Sequence, residues 1–248
     1  MLGSLVRAGR ELIEGVLQLL YPRICGACGE SLAAGELYFC ARCRAALTTD
    51  PHEACRRCGS TVGPFALLED GCSRCRTTRY HFENVIRLGP YEGLLREVVL
   101  RLKNSSGEGL AEVVGILWAD HARDELQRIK PDVIVPVPLH WWRRWSRGYN
   151  QSETLARALA AQLQLPFRPR WLKRVRNTPH QTRQSPTGRW ANVDKAFRAI
   201  PRAGLRGKTV LLVDDVLTTG STCSDAARAL RGAGADRVVV AVLAHSQA

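Results

Sequence analysis

The chain has 248 residues, of which 45% are hydrophobic and 24% are charged, and both values are ordinary for a soluble globular protein. This length can bury one sizeable core and a small appended module. No stretch of the sequence approaches the roughly 18 uncharged apolar residues of a membrane-spanning helix, so such a helix is excluded.

The formal net charge of +13 comes from one segment. Residues 131–208 contain sixteen Lys and Arg against three acidic residues, and the rest of the chain contains twenty of each. This excess predicts an anionic partner, namely the phosphates of a small ligand, nucleic acid, or both. The alternative is a solvated basic face.

The first residues, from Leu2 to Leu20, carry apolar side chains at helical spacing, and Pro22 ends the pattern. We expect an amphipathic helix over residues 1–22 that packs on the protein's own body, with docking on a membrane surface or a partner as the alternative. Glu11 and Glu14 interrupt the apolar run, and no small-residue cleavage site follows, so a secretory signal is not expected. We therefore expect a cytoplasmic protein, at most peripheral at the inner membrane face.

Eight of the nine cysteines form four CxxC knuckles separated by eleven, eleven and thirteen residues. Each knuckle places two thiolates on a tight turn, and two such turns complete a tetrahedral four-sulfur shell for Zn²⁺. The spacing predicts two structural zinc sites in a module spanning residues 23–78. Their ligands are Cys25, Cys28, Cys40, Cys43, Cys55, Cys58, Cys72 and Cys75. Sequential pairing of the knuckles is favoured, and cross-braced pairing stays open.

After the cysteines, apolar strand patterns alternate with helical patterns, which is typical of a parallel α/β sheet. We predict strands at 82–88, 133–135, 171–176, 209–213 and 238–243. We predict helices at 93–103, 108–127, 152–163 and 223–232. Residues 177–192 are polar, with Pro, Gly and Thr, and predict a long mobile loop.

The most informative motif runs from Thr209 to Thr222, where an aliphatic strand is followed by Asp214 and Asp215, a loop rich in hydroxyl groups, and a helix. Loop N–H groups and a helix N-terminus together hold an anion, so this order predicts a phosphate cradle. The adjacent carboxylates suit a pair of ribose hydroxyls, since each can accept from an O–H. Ser221 or Thr222 is expected to cap the helix.

This segment resembles the phosphoribosyl-diphosphate (PRPP) loop of type I phosphoribosyltransferases. Together with three further stretches, it makes up a pattern that resembles the competence protein F (ComF) family. The resemblance runs from Cys25 to about Ser246. The three stretches are the CxxC knuckles; Val135-Pro136-Val137-Pro138 with Arg147-Gly148-Tyr149-Asn150-Gln151; and Arg174 to Gln181 with Arg189, Asn192 and Phe197. One stretch departs from the family, because Lys103 is followed by Asn104-Ser105-Ser106-Gly107-Glu108, without the usual aromatic residue and with one residue more.

The resemblance implies a type I phosphoribosyltransferase fold over residues 79–248, with an N-terminal double zinc ribbon. It also implies PRPP with Mg²⁺ as ligand, and a role in natural transformation in which incoming single-stranded DNA is handled. A competence helicase or another DNA-uptake protein would be the partner. Transferase turnover stays open.

In PRPP-dependent transfer the protein positions the ligand and stabilises charge. Asp214 and Asp215 are the expected catalytic carboxylates, which would hold the ribose hydroxyls. Val216 and Leu217 are expected to be PRPP-binding residues as well, and the 5-phosphate would be held by Thr218, Thr219, Gly220, Ser221 and Thr222. The diphosphate side and the lid would include Lys103, Val137, Pro138, Arg147, Arg183 and Arg189. Cys223 at the helix start is expected to be a small buried residue, with a lowered thiol pKa as the alternative.

Aromatic and basic residues alternate at Trp141, Trp142, Arg143, Arg144 and Trp145. Stacking rings beside guanidinium groups are typical of single-strand binding, so these residues are candidates for nucleic-acid contact. The alternative is that the tryptophans are structural anchors and the arginines serve the diphosphate.

No acceptor pocket can be predicted from the sequence, and three functions remain. The first is a PRPP-binding protein of natural competence. The second is an active nucleobase-type phosphoribosyltransferase of nucleotide metabolism. The third is a zinc-ribbon nucleic-acid adaptor with a vestigial transferase domain, which the intact Asp214-Asp215 pair disfavours.

Overall fold

The computed structural model describes residues 22–63, 66, 71–176, 195–200 and 204–247. The apolar pattern of the predicted N-terminal helix, from Leu2 to Leu20, and the whole predicted lid loop, including Arg183 and Arg189, lie outside these residues. The chain divides into two compact units, 1–46 and 47–248. The second pair of CxxC knuckles is therefore part of the same unit as the sheet, and a domain boundary after residue 78 stays a prediction. Within the described ranges, no helix is both long and apolar enough to cross a membrane.

The first unit is built around two knuckles. An isolated antiparallel bridge joins Ile24 to Ser31 and closes a hairpin around the first knuckle. Helix α1 (Ala41–Thr48) begins directly after Cys40, so Cys43 lies in its first turn. Gly29 has a φ of +78°, a left-handed conformation that favours glycine and lets the chain reverse after Cys28.

The second unit begins with a short antiparallel ribbon, β1 (Glu53–Ala54) and β2 (Thr61–Val62), which flanks the knuckle at Cys55 and Cys58. The body that follows is a four-stranded sheet of β3 (Val85–Pro90), β4 (Val133–Pro136), β7 (Thr209–Leu217) and β8 (Arg237–His245). Its order is β3-β8-β7-β4, and all neighbouring strands are parallel. The predicted parallel α/β sheet is confirmed.

The strands of this sheet read as aliphatic runs because helices cover its faces. Residues 238–245 of β8 and 210–213 of β7 are all buried. Along the chain the helices are α2 (Gly93–Arg101), α3 (Glu108–His121), α4 (Arg123–Ile129), α5 (Trp141–Arg147), α6 (Gln151–Leu163) and α7 (Ser221–Gly232). A 3₁₀ turn at Ser105–Gly107 precedes α3. Helices α3 and α6 pack closely at Gly115, where an added Cβ would lie 2.7 Å from that of Ala158.

Three elements differ from the sequence prediction. The single helix expected over 108–127 is two helices with a break at Ala122. Helix α5 was not among the predicted helices. It forms because the His140 side chain accepts a hydrogen bond from the Trp142 N–H, and Gly148 ends the helix in the left-handed region. Strand β5 (Leu172–Arg174) was predicted, but its antiparallel partner β6 (Phe197–Ala199) was not.

Candidate functional site

The acidic pair lies where the central strand β7 meets helix α7, at the carboxyl edge of the sheet. The strand continues through Asp214 and Asp215 to Leu217, and Gly220 is the N-cap of α7. The expected cap at Ser221 or Thr222 was wrong. Gly220 has a φ of +77°, and a Cβ there would lie 2.8 Å from the Tyr80 ring, so the chain turns at the residue that has no side chain.

A cavity of about 440 Å³ opens at this edge. The structure gathers around it most of the residues that the sequence assigned to PRPP. The assigned residues that line the cavity are Lys103, Val137, Pro138, Arg147, Asp214, Asp215, Val216, Leu217, Thr218, Gly220, Ser221 and Thr222. Thr219 lies in the same loop but outside this lining. Its carbonyl accepts from the Tyr80 hydroxyl at 3.3 Å, and its own hydroxyl donates to Ser221 Oγ at 3.1 Å.

Asp214 is held deep in the site. Its Oδ1 accepts hydrogen bonds from Ser152 Oγ at 2.8 Å and from the Asp215 N–H at 2.9 Å. Burial, together with the neighbouring charge of Asp215, raises the pKa of Asp214 to about 7. Near neutral pH this carboxyl therefore exchanges between its charged and uncharged forms.

Asp215 is less buried and faces a cation. Lys103 Nζ lies 4.0 Å from Asp215 Oδ2. The buried Tyr149 hydroxyl donates to the carbonyl of Leu102, the residue before Lys103, and Gly107 packs against both. A Cβ on Gly107 would lie 2.6 Å from the Tyr149 hydroxyl and from the Arg101 carbonyl. These contacts hold Lys103 at the cavity although the sequence around it departs from the ComF pattern.

Cys223 was expected to be a small buried residue, and the structure confirms this. The residue is 1% exposed, and its Sγ lies 3.8 Å from Asp214 Oδ2. Burial and the adjacent carboxylates raise the pKa of the thiol, so the alternative of a lowered pKa at the helix start is wrong.

Sequence reasoning missed several residues of the cavity wall. Ser152 was predicted only as the start of a helix, yet it donates to Asp214. Gln151 is 2% exposed, and its buried Oε1 has no hydrogen-bond partner among the residues that the structure describes. Tyr91 and Leu100 add an aromatic and an apolar surface to the same wall. The sequence did offer one indication of these two residues. Gln151 is the last residue of the Arg147–Gln151 stretch that resembles the family, and Ser152 directly follows it.

Asp225 is another missed residue, and it anchors the chain where the predicted lid loop returns to the body. Its carboxylate accepts from the backbone N–H groups of Lys195 at 3.1 Å, Ala196 at 2.8 Å and Phe197 at 3.2 Å. Arg228 pairs with the same carboxylate. Helix α7 therefore fixes both the loop that precedes it and the start of β6.

The cysteines form two separate four-sulfur clusters, Cys25-Cys28-Cys40-Cys43 and Cys55-Cys58-Cys72-Cys75. The sequential pairing of knuckles is therefore confirmed. Within the second cluster, sulfur atoms lie 3.6 Å apart for Cys58 and Cys72 and 3.8 Å apart for Cys55 and Cys75. Four ligands at about 2.3 Å from a tetrahedral Zn²⁺ are about 3.8 Å apart, so the sulfurs fit the ion.

The thiols within each cluster differ in pKa: one is lowered, whereas burial and the neighbouring thiols raise the pKa of Cys43 to about 12 and that of Cys58 to about 11. Burial opposes ionisation of Cys25, but the backbone N–H groups of the knuckle and of Cys40 outweigh it and lower the pKa of Cys25 to about 6. Cys55 has the same environment in the second cluster, and its pKa is lowered to about 7. Each closed four-sulfur shell leaves no position for a substrate, so both sites are structural.

The three tryptophans of α5 are not core anchors. Trp141 is 67% exposed, Trp142 is 53% exposed and Trp145 is 76% exposed. Their rings are neighbours at centroid distances of 5.6 and 5.7 Å, and with Arg144 and Gly148 they line a hollow. The arginines divide between two places, because Arg147 lines the cavity beside Asp214 and Asp215, while Arg144 pairs with Glu153 at 2.9 Å. The side chain of Arg143 is not described.

Comparison with known proteins agrees with this architecture. Residues 108–248 match the phosphoribosyl transferase domain, and residues 16–77 match the double zinc ribbon domain. The chain is 30% identical to competence protein F of Haemophilus influenzae over 90% of this chain and 96% of the relative. The chain belongs to the competence protein F family.

Other relatives are also similar over most of the chain. The DNA utilization protein YhgH of Escherichia coli K12 is 32% identical over 90% of this chain and 96% of the relative. The competence protein ComFC of Bacillus subtilis is 27% identical over 77% of each chain. Family membership accounts for the joining of two four-sulfur clusters to a parallel α/β sheet in one polypeptide.

Proposed function

We propose that the cavity binds PRPP together with Mg²⁺, in a protein of natural competence that handles incoming single-stranded DNA. One observation carries the ligand assignment. The carboxylate pair Asp214-Asp215 and the N-terminus of the 12-residue helix α7 line the same cavity. The carboxylate pair suits a sugar diol, and the helix N-terminus suits a phosphate. The two groups lie at opposite ends of one loop.

The phosphate end is built from backbone and hydroxyl donors. Ser221 and Thr222, the first residues of helix α7, line the cavity, and Thr218 adds a further hydroxyl group. Unpaired N–H groups at a helix N-terminus attract an anion, and the helix dipole adds to this attraction. A ribose 5-phosphate group is the ligand that this end supports.

The ribose end needs accepting oxygens. Each ribose hydroxyl donates one hydrogen, and an ionised carboxylate is the strongest side-chain acceptor. Ser152 and the Asp215 N–H fix Asp214 Oδ1, and Oδ2, which the Cys223 thiol approaches at 3.8 Å, would be the oxygen that accepts from the ligand. Since the pKa of Asp214 is raised to about 7, its proton must leave before the carboxylate can accept fully.

The diphosphate end is basic. Lys103 and Arg147 line the cavity beside the rigid Val137-Pro138 turn. Lys103 currently faces Asp215 at 4.0 Å, a distance from which it can turn to a diphosphate oxygen. Mg²⁺ would neutralise part of the diphosphate charge when it is bound with the ligand. Arg183 and Arg189 remain proposed lid residues.

Titration calorimetry with PRPP and MgCl₂ on the full zinc-loaded chain tests this proposal. Replacing Asp215→Asn removes an ionised acceptor that is worth about 1.5–3 kcal/mol, so affinity should fall roughly 10- to 150-fold. Asp236→Asn is the matched control, because Asp236 is exposed and lies outside the cavity lining. A parent that binds no PRPP, or an Asp215→Asn variant that binds as the parent does, would refute the proposal.

The role in competence rests on the relatives, which are named for competence and for DNA utilization. Helix α5 supports a direct contact with single-stranded DNA. Three exposed tryptophans on one short helix expose stacking surfaces, and each stacked base typically contributes about 1–3 kcal/mol. The surrounding segment carries the excess of positive charge that a phosphate backbone requires.

A further inference from the structure

Tyr80 lies between the second zinc cluster and the phosphate loop. Its ring packs against the sulfur cluster of Cys55, Cys58, Cys72 and Cys75 and also against the main hydrophobic core. On the other side its hydroxyl donates to the Thr219 carbonyl at 3.3 Å. One side chain therefore contacts both the zinc ligands and the loop that would hold the phosphate.

The contact between Tyr80 and Gly220 leaves no free space. A Cβ on Gly220 would lie 2.8 Å from Tyr80 Cε1 and 3.4 Å from Phe82 Cζ. Tyr80 and Phe82 stack on each other, with ring centroids 4.6 Å apart and planes 18° from parallel. Because interiors are closely packed, a shift of this aromatic pair would displace the left-handed turn at Gly220.

The segment after the last knuckle also holds the first turn of helix α7. The His81 N–H donates to Ser224 Oγ at 3.1 Å. Upstream, the Thr78 N–H donates to the Cys75 carbonyl at 2.9 Å, and Arg57 donates to the Thr78 carbonyl at 2.8 Å. The backbone from Cys75 to Phe82 is thus tied to the metal cluster at one end and to the phosphate loop at the other.

We infer that Tyr80 is a positioning residue through which the second zinc site holds the phosphate loop in its binding conformation. The inference rests on the proposed binding of PRPP at the cavity. Loss of zinc from the second site should then weaken binding of the 5-phosphate. Loss of zinc from the first site, Cys25-Cys28-Cys40-Cys43, should not.

The ligand measurement separates the two ends of the cavity. Ribose 5-phosphate and Mg²⁺-diphosphate are titrated separately into zinc-loaded parent, Tyr80→Phe and Tyr80→Ala chains. Tyr80→Phe loses one neutral hydrogen bond, so ribose 5-phosphate should bind about two- to tenfold more weakly. Tyr80→Ala also loses the ring, and affinity should fall at least about tenfold. Diphosphate affinity should stay unchanged in both variants, and Tyr38→Phe in the first ribbon is the control.

A second measurement needs no ligand. Hydrogen exchange of the backbone over residues 216–224 should quicken in Tyr80→Ala and in Cys72→Ser, and it should match the parent in Cys28→Ser. Metal analysis should find one zinc in each cysteine variant. Unchanged exchange in Tyr80→Ala, or equal loss of ribose 5-phosphate and diphosphate binding, overturns the inference. A parent that binds neither ligand contradicts the proposed function, while the exchange experiment still decides the coupling.

Discussion

Replacing Asp214→Asn should stabilise the folded chain at neutral pH while it weakens the proposed ligand site. Asp214 is half-buried in the cavity wall, and the loss of solvation there, together with the charge of Asp215, raises its pKa from 3.8 to about 7. Between these two pH values the folded chain binds a proton that the unfolded chain has released. Its stability therefore falls as the pH rises through this window, and the full penalty is present above about pH 7.

The size of this penalty follows from the shift. A shift of one pKa unit corresponds to about 1.36 kcal/mol, so ionisation of Asp214 lowers the free energy of unfolding by at most about 4 kcal/mol. Asparagine carries no charge at any of these pH values, and its amide oxygen can still accept from Ser152 Oγ. For a folded unit of the size of residues 47–248, a gain of about 2–4 kcal/mol in the free energy of unfolding corresponds to a rise in Tm of roughly 4–16 °C.

Thermal unfolding of zinc-loaded parent and Asp214→Asn chains at pH 4.5 and pH 8 measures the effect. The two chains should melt at nearly the same temperature at pH 4.5, and the variant should melt higher at pH 8. Asp225→Asn is the matched control at a buried aspartate. Its charge is paired with Arg228 and three backbone N–H groups, so this variant should be less stable at pH 8. An Asp214→Asn variant that melted below the parent at pH 8 would refute the argument. A difference in Tm between variant and parent that was the same at both pH values would also refute it.

Three other results are expected. Metal analysis of freshly purified protein should give about two zinc ions per chain, and a folded chain with none would contradict the four-sulfur sites. PRPP affinity should rise between pH 6 and pH 8 as Asp214 loses its proton, and calorimetry that finds no such rise would remove Asp214 from the ribose contact. A Trp142→Ala, Trp145→Ala variant should bind a single-stranded oligonucleotide at least about tenfold more weakly while its zinc content and melting temperature stay unchanged, and affinity should fall steeply with salt. Equal binding by parent and variant would exclude the tryptophans from DNA contact.

Much of this fold could be predicted because its local signals agree. The aliphatic runs of β7 and β8 are buried on both faces, so they are visible without knowledge of their partners. The four knuckles have a spacing that few other structures require. The pairing of knuckles within each cluster depends on how the chain returns between them, and only the structure resolved it.

The errors have physical causes. Helix α5 has exposed tryptophans and no buried apolar stripe, so the hydrophobic periodicity of the sequence could not reveal it. Its N-cap is His140, whose side chain accepts from the Trp142 N–H, and histidine is not one of the usual capping residues. The N-cap at Gly220 was missed because Ser and Thr are the usual caps, whereas here the Tyr80 ring excludes a side chain. Strand β6 consists of three residues whose position is fixed by Asp225, a contact between distant parts of the sequence.

Residues that act through a neighbour were the least predictable part of the site. Ser152 lies sixty-two positions from Asp214 in sequence, and Tyr80 lies 139 positions from Thr219. Nothing in the local pattern around either residue indicates these partners. The parallel sheet brings them together because its carboxyl edge collects loops from separate parts of the chain.

The central claim is that PRPP occupies the cavity beside Asp214 and Asp215. Its most direct test is the PRPP affinity of the zinc-loaded Asp214→Asn, Asp215→Asn chain, measured by calorimetry with MgCl₂ at pH 8 beside the parent. Two charge-assisted contacts at about 1.5–3 kcal/mol each predict a loss of at least about 100-fold. A double variant that stays folded, keeps its zinc and binds PRPP as tightly as the parent does would contradict the account.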